Sequence, residues 1–280
     1  MAKPITAAAM MMLWEEGKWV PEDPVSKFIP EFEGLKVRQD DDELVPQASP
    51  MTMKQLMSHS AGFGPRGEYP DQMRSDEFLE QRIFVPLGMV DSDYVLPASK
   101  AERLVSKHSY DGNGKLVAVG LSGTYNTSRP KFLGGGGGLM LSTVRDYWRF
   151  AQMILNGGEF EGKRYLEVST VEMMHTNALE PGVRLNLYRR DINGLGFGLG
   201  YAIVQDPAAA KTSQGLQSYF WGGRYGTWFW IDPVNDMILI GFISTINSST
   251  PAVVPVHELS ARSVYRAMGE SSRTAAENLD

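Results

Sequence analysis

The chain has 280 residues, of which 42% are hydrophobic and 21% charged, and it contains no cysteine. A length of this order allows one large domain or two modest ones, with most of the unfolded surface hidden in a core. The missing cysteine excludes a disulfide framework, a thiolate zinc site, an iron–sulfur cluster and a cysteine nucleophile, and 27 Lys and Arg against 33 Asp and Glu, a net charge of -6, argue against nucleic acid as a partner.

The first element is a helix over Ile5–Glu16, introduced by Pro4, where a missing N–H costs nothing, and closed by Gly17. Its residues are apolar on every face, so it belongs in a core, and a buried helix seldom begins a domain. The run Ile5–Trp14 is too short to span a bilayer and lacks the basic flank and cleavage site of a signal peptide. A soluble protein acting on a small molecule is expected, cytoplasmic by default, with no membrane or nucleic-acid partner. Lys18–Asp42 reads as a proline-rich loop, and the acidic run Asp40–Glu43 as solvated.

Thr52 caps a helix over Met53–Ser58, a loop runs from His59 to Arg74, and a helix covers Ser75–Phe84. Two short strands within Val105–Leu121 flank a turn at Asp111–Gly114. Ser142 or Thr143 caps a helix that ends at Leu155 before Asn156-Gly157-Gly158, and Ser169–His175 forms another. The last third turns to aromatic and β-branched segments, Gly198–Val204, Ser218–Gly222, Thr227–Asp232 and Met237–Thr245, the final two joined as a hairpin at Val234–Asp236. A helix over Val253–Met268 closes a single α+β domain of residues 1–268, followed by a disordered tail, 269–280.

Several features invite a chemical reading. The five glycines Gly134–Gly138 lack the strand before them and the Lys-Ser/Thr after them that a phosphate cradle requires, so they read as backbone passing close beside another element. His59, His108, His175 and His257 lie too far apart for a metal-ligand motif. Ser58-His59-Ser60 reads as a helix end capped by hydroxyls, because chain neighbours seldom face each other. A serine and a lysine three residues apart on a helix do share a face, so that the amine can take the hydroxyl proton. The intact instance, Ser128-Arg129-Pro130-Lys131, falls in a loop; at the front, Met1-Ala2-Lys3 would complete such a motif with a serine one position earlier.

Five blocks carry a resemblance. They are Lys3–Thr6 with Leu13–Lys18, then Asp23–Phe32, Met51–Phe63 with Ile83–Met89, Gly134–Thr143 with Asp146–Phe150 and Leu155–Gly158, and Trp221–Pro233. In this order the chain resembles the serine β-lactamase-like hydrolases: class C β-lactamases, DD-peptidases and the family VIII carboxylesterases. The resemblance implies a β-lactamase/transpeptidase-like fold, an antiparallel sheet flanked by helices with the site between sheet and helices. It also implies a serine at the start of the buried helix that attacks an ester or amide carbonyl, with a lysine and a tyrosine as base and backbone N–H groups on the oxyanion.

Carried over, Lys3 matches the base lysine, and Trp221-Gly222-Gly223 matches the motif on the strand that lines the site, with the N–H of Arg224 as oxyanion donor. The serine would precede Met1, the two strands before it in the family are absent, and the segment holding the tyrosine motif is shortened, leaving Tyr69 as the tyrosine in that gap. The expected function is ester hydrolysis through an acyl-enzyme, in a form lacking the nucleophilic serine and the base tyrosine. The alternatives are an inactive relative that binds a small ligand or partner, and a fragment without function of its own. No metal or organic cofactor is implied. The edge strand Met237–Thr245 is expected to be left unpaired, a route to self-association.

Overall fold

The computed structural model describes residues 1–39, 43–62, 76–119, 140–187, 190–223, 225–245 and 256–269. Seven helices are seen among them: α1 (Ala2–Glu15), α2 (Met53–Met57), α3 (Asp76–Leu79), α4 (Val144–Leu155), α5 (Val168–Met174), the single turn α6 (Pro207–Ala210) and α7 (Val256–Ala267). Four two-stranded hairpins lie apart from the main sheet. They pair β1 (Lys36–Arg38) with β2 (Leu44–Pro46), β3 (Lys107–Tyr110) with β4 (Leu116–Val119), β5 (Glu159–Phe160) with β6 (Lys163–Arg164), and β7 (Leu185–Leu187) with β8 (Arg190–Ile192).

The main sheet is antiparallel throughout, in the order β13 (Met237–Gly241), β12 (Trp228–Asp232), β11 (Tyr219–Gly222), β10 (Ala202–Val204), β9 (Leu195–Phe197). Register sets its two faces, because successive side chains point to opposite sides. Trp221 stands opposite Phe229, and Tyr219 opposite Ile231. These side chains, with Ile238 and Ile240, join the large core formed by α1, α4 and α5. The alternate set, Phe220, Trp228, Trp230, Met237 and Leu239, packs beneath Ala261 and Tyr265 of α7. Helices thus cover both faces of the sheet, which is the expected α+β arrangement.

Helix α1 is the central piece of the larger core. Ile5, Ala8 and Met11 are fully buried, and Glu15 at its C-terminal end is its one exposed residue. Pro4 falls within the first turn, where the backbone N–H groups have no intrahelical acceptor. The cap at Thr52 is a complete capping box: its side chain accepts from Gln55 N while the Gln55 side chain accepts from Thr52 N. Thr143, rather than Ser142, caps α4 by accepting from Asp146 N.

The structure corrects several boundaries. Gly198–Val204 is not one strand: β9 ends at Phe197, a turn follows, and β10 starts at Ala202. In that turn Gly200 has φ +108°, and a Cβ there would come within 2.5 Å of the Ala7 Cβ, so glycine lets the turn lie directly on α1. The strand expected over Met237–Thr245 stops at Gly241, where a Cβ would collide with the Trp228 indole. The chain then leaves the sheet, with Thr245 N donating to Tyr225 O and His108 N to Ser244 O. The helix expected over Ser75–Phe84 is α-helical only through Leu79 and continues as a π-turn over Glu80–Phe84. The loop expected over Lys18–Asp42 contains β1. The glycine run Gly134–Gly138, Ser128–Lys131 and tail residues 270–280 lie outside the described residues.

Candidate active site

The first turn of α1, the end of β11, the end of α2 and the end of β9 converge. At the centre is Lys3, half-buried in the first helical turn. Burial lowers the pKa of its amine from the usual lysine value, and the positive end of the helix dipole acts in the same direction. The proton therefore leaves this amine more readily than it leaves a solvent-exposed lysine.

Strand β11 brings Trp221, Gly222 and Gly223 to the same place. A Cβ on Gly223 would collide with Thr227 Oγ1 and stand 3.2 Å from the backbone nitrogen of Met1. Only glycine leaves the space that lets the strand end meet the start of α1. Gly223 N also donates to Thr227 O at 2.7 Å, which closes the turn beyond β11. Of the residues singled out in the sequence, Lys3, Trp221, Gly222 and Gly223 are thus brought together, while Tyr69 and Arg224 lie outside the described residues.

Two further residues join the site without having been assigned to it from the sequence. His59 follows α2 with φ +57°. The hydroxyls of Ser58 and Ser60 lie 2.9 Å apart, and both donate to Gln55 O, so the expected hydroxyl cap is present. The left-handed backbone at His59, however, turns its ring away from that cap. It stacks on Phe197 with ring centroids 4.6 Å apart and meets Trp221 edge-on at 5.3 Å. His59 is an exposed residue, yet desolvation of its ring against these aromatic neighbours, and then the charge of Lys3, lower its pKa to about 4. His59 is therefore neutral near pH 7, with the Lys3 amine beside it.

The second is Tyr147 on α4. It is fully buried, and its hydroxyl donates to the Met1 carbonyl oxygen at 3.1 Å. Burial raises its pKa well above the ordinary tyrosine value, so it is a donor and not a base. The sequence signal was the block Asp146–Phe150, whose role could be read only once α4 was placed beside α1. Phe197 is held from the other side, where Asn177 Oδ1 accepts from its backbone N–H at 3.0 Å.

A beta-lactamase family model matches residues 1–76 and 68–255, two stretches that meet in the segment where the sequence appeared shortened. Protein Rv1367c of Mycobacterium tuberculosis (strain ATCC 25618 / H37Rv) is 27% identical over 304 residues, spanning 87% of this chain and 75% of that protein. Among solved structures, EstCE1, a hydrolase with promiscuous acyltransferase activity, superposes with a TM-score of 0.69 at 16% identity, over 93% of this chain and 82% of its own. Simvastatin synthase LovD from Aspergillus terreus, in its unliganded selenomethionyl derivative, gives 0.70 at 16% identity, over 89% of this chain and 78% of its own. At such identities the two likenesses show the fold alone.

Proposed function

The chain belongs to the beta-lactamase family, and from that premise we propose that the cleft between the start of α1 and the end of β11 performs acyl transfer from carboxylic esters. The observation that supports this reading most directly is Lys3, whose ammonium form is disfavoured by burial in the first turn of a core helix. One helical turn before it is the position that shares its face. In this reading a serine hydroxyl at that position, immediately preceding Met1, attacks the ester carbonyl. Lys3 takes the hydroxyl proton as the new C–O bond forms, the alcohol leaves with a proton, and water then releases the acid from the acyl-serine. Trp221-Gly222-Gly223 gives the substrate a backbone edge, and its tryptophan resembles the form of this motif in the family's esterases, which favours this reading over β-lactam hydrolysis. The Arg224 N–H is assigned to the oxyanion by resemblance.

Without its nucleophile an acyl-enzyme hydrolase loses on the order of a millionfold in turnover. The test compares the 280-residue chain with a form extended upstream to carry the serine, each with and without Lys3→Ala. The extended form should show burst hydrolysis of p-nitrophenyl esters and labelling by a fluorophosphonate, both lost with Lys3→Ala. The chain starting at Met1 should hydrolyse no faster than its own Lys3→Ala variant. Labelling of that shorter chain would overturn the placement of the nucleophile and identify the true one. Ligand binding by the extended form without turnover would favour an inactive relative instead.

A further inference from the structure

The reading proposed for the cleft leaves an aromatic surface without a role. Phe197 is fully buried and serves as a platform; His59, an exposed residue, stacks on it at an interplanar angle of 29°, and Trp221, half-buried, stands edge-on to both, 5.2 Å from Phe197 and 5.3 Å from His59. We propose that His59 and Trp221 form the wall that selects the substrate, and that the site takes esters carrying a planar, uncharged aryl group stacked on the His59 ring. The proposal deepens the reading above and rests on it for the identity of the cleft.

Three observations favour an aryl group. The first is geometric: the imidazole is buttressed from behind by Phe197, whose backbone N–H donates to Asn177 Oδ1, so the stacking plane is preset and little rotamer freedom is lost on binding. The second is electrostatic. An exposed aromatic face can also attract a cationic group, but Lys3 lies close enough for its charge to depress the His59 pKa, so it repels a ligand cation as well. The third is the neutral state of His59, which keeps its face a π surface and not a second cation.

A flexible alkyl group would gain contact area there but none of the offset or edge-to-face pairing that aromatic partners add. The left-handed backbone at His59, in the region that asparagine also visits readily, is what aims the ring at the cleft.

The test measures binding of ethyl benzoate and ethyl butyrate to the full chain by titration calorimetry, together with intermolecular NOEs. Ethyl benzoate should bind about tenfold more tightly than ethyl butyrate. Its ring protons should show NOEs to the His59 imidazole and the Trp221 indole. The preference should fall to within threefold in His59→Asn, which keeps the left-handed backbone without the ring, and persist in His59→Phe. Equal affinity for the two esters, failure of both to bind, a preference unchanged in His59→Asn, or NOEs to other residues would overturn the proposal. The NOEs are read on the unmodified chain, so a variant that fails to fold does not decide the matter. Fluorophosphonate labelling of the serine-bearing form with no aryl preference would overturn this inference and leave the hydrolase reading standing; an aryl preference without labelling would do the reverse.

Discussion

The hydroxyl of Tyr147 donates across 3.1 Å to the carbonyl oxygen of Met1, joining residues 146 positions apart and tying α4 to the turn that carries Lys3. The ring that delivers this hydroxyl is itself fixed, edge-on to Phe150 at 5.8 Å and tilted against Phe229 at 5.0 Å. Tyr147→Phe keeps the ring packing and leaves the carbonyl without this donor. The expected loss is about 1–2 kcal/mol in a urea titration. An unchanged midpoint would show that the contact contributes nothing to the position of α1.

Gly223 and Thr227 compete for one space. A Cβ at Gly223 collides with Thr227 Oγ1, which belongs to the turn between β11 and β12. Gly223→Ala should destabilise by about 1–3 kcal/mol, in the range of other overpacking changes. Thr227→Ala removes the colliding oxygen, so adding it to Gly223→Ala should recover most of that loss, while alone it costs less than Gly223→Ala. The double-mutant cycle measures the coupling; additive losses would mean that the backbone nitrogen of Met1, 3.2 Å from the new Cβ, is the decisive obstacle.

Local chemistry made much of this fold legible in advance. The capping threonines, the hairpin of β12 and β13, and the wholly apolar first helix all depend on residues close in sequence. Lys3 and Trp221–Gly223 were singled out through family motifs, and the fold sets the start of α1 against the end of β11. His59 and Tyr147 were not legible, because their roles depend on contacts formed across the fold. The serines beside His59 do cap α2, and nothing local announces that φ +57° sends the ring to Phe197 and Trp221. The strand limits at Phe197 and Gly241 were missed for a related reason: each is set by what packs there, α1 against the Gly200 turn and Trp228 against Gly241.

Three histidines give the stability a definite dependence on pH. His59, His175 and His257 are all held below the usual histidine value chiefly by burial, with His175 stacked on Tyr219 at 4.5 Å and His257 among Phe220, Trp228 and Trp230. The folded pKa lies below the unfolded one, so the unfolded chain binds more protons between the two, and stability rises with pH across that window. For His59 the window runs from about 4 to the ordinary value of 6.5. The urea midpoint should therefore fall as pH is lowered from 7 to 5, and His175→Phe should make the fall shallower. The carboxylate of Asp91, held well below its usual range by Arg103 and Lys100, loses its contribution only at more acidic pH, so the windows separate. A midpoint that rises on acidification would contradict the sign.

Beneath the apolar packing of α7, a buried carboxylate ties this helix to the sheet. Asp232, fully buried, accepts from Tyr265 Oη at 2.5 Å, from the backbone N–H groups of Val234 and Asn235 at 3.0 Å each, and from Asn235 Nδ2 at 2.8 Å. Burial, and then Asp232, push the Tyr265 hydroxyl up to about 12, so it remains a donor through neutral and mildly alkaline pH. The same carboxylate therefore shapes the turn between β12 and β13 and anchors α7 to the sheet. Tyr265→Phe removes only the second role and should cost about 1–3 kcal/mol, a range fitting a buried bond to a charged acceptor. Asp232→Ala removes both and should cost more. Hydrogen exchange separates the two effects. Tyr265→Phe should speed exchange in α7 while α1, packed on the opposite face of the sheet, keeps its protection. If α1 and α7 lost protection equally, the two faces would open as one unit, and the carboxylate would be holding the whole sheet rather than its last helix.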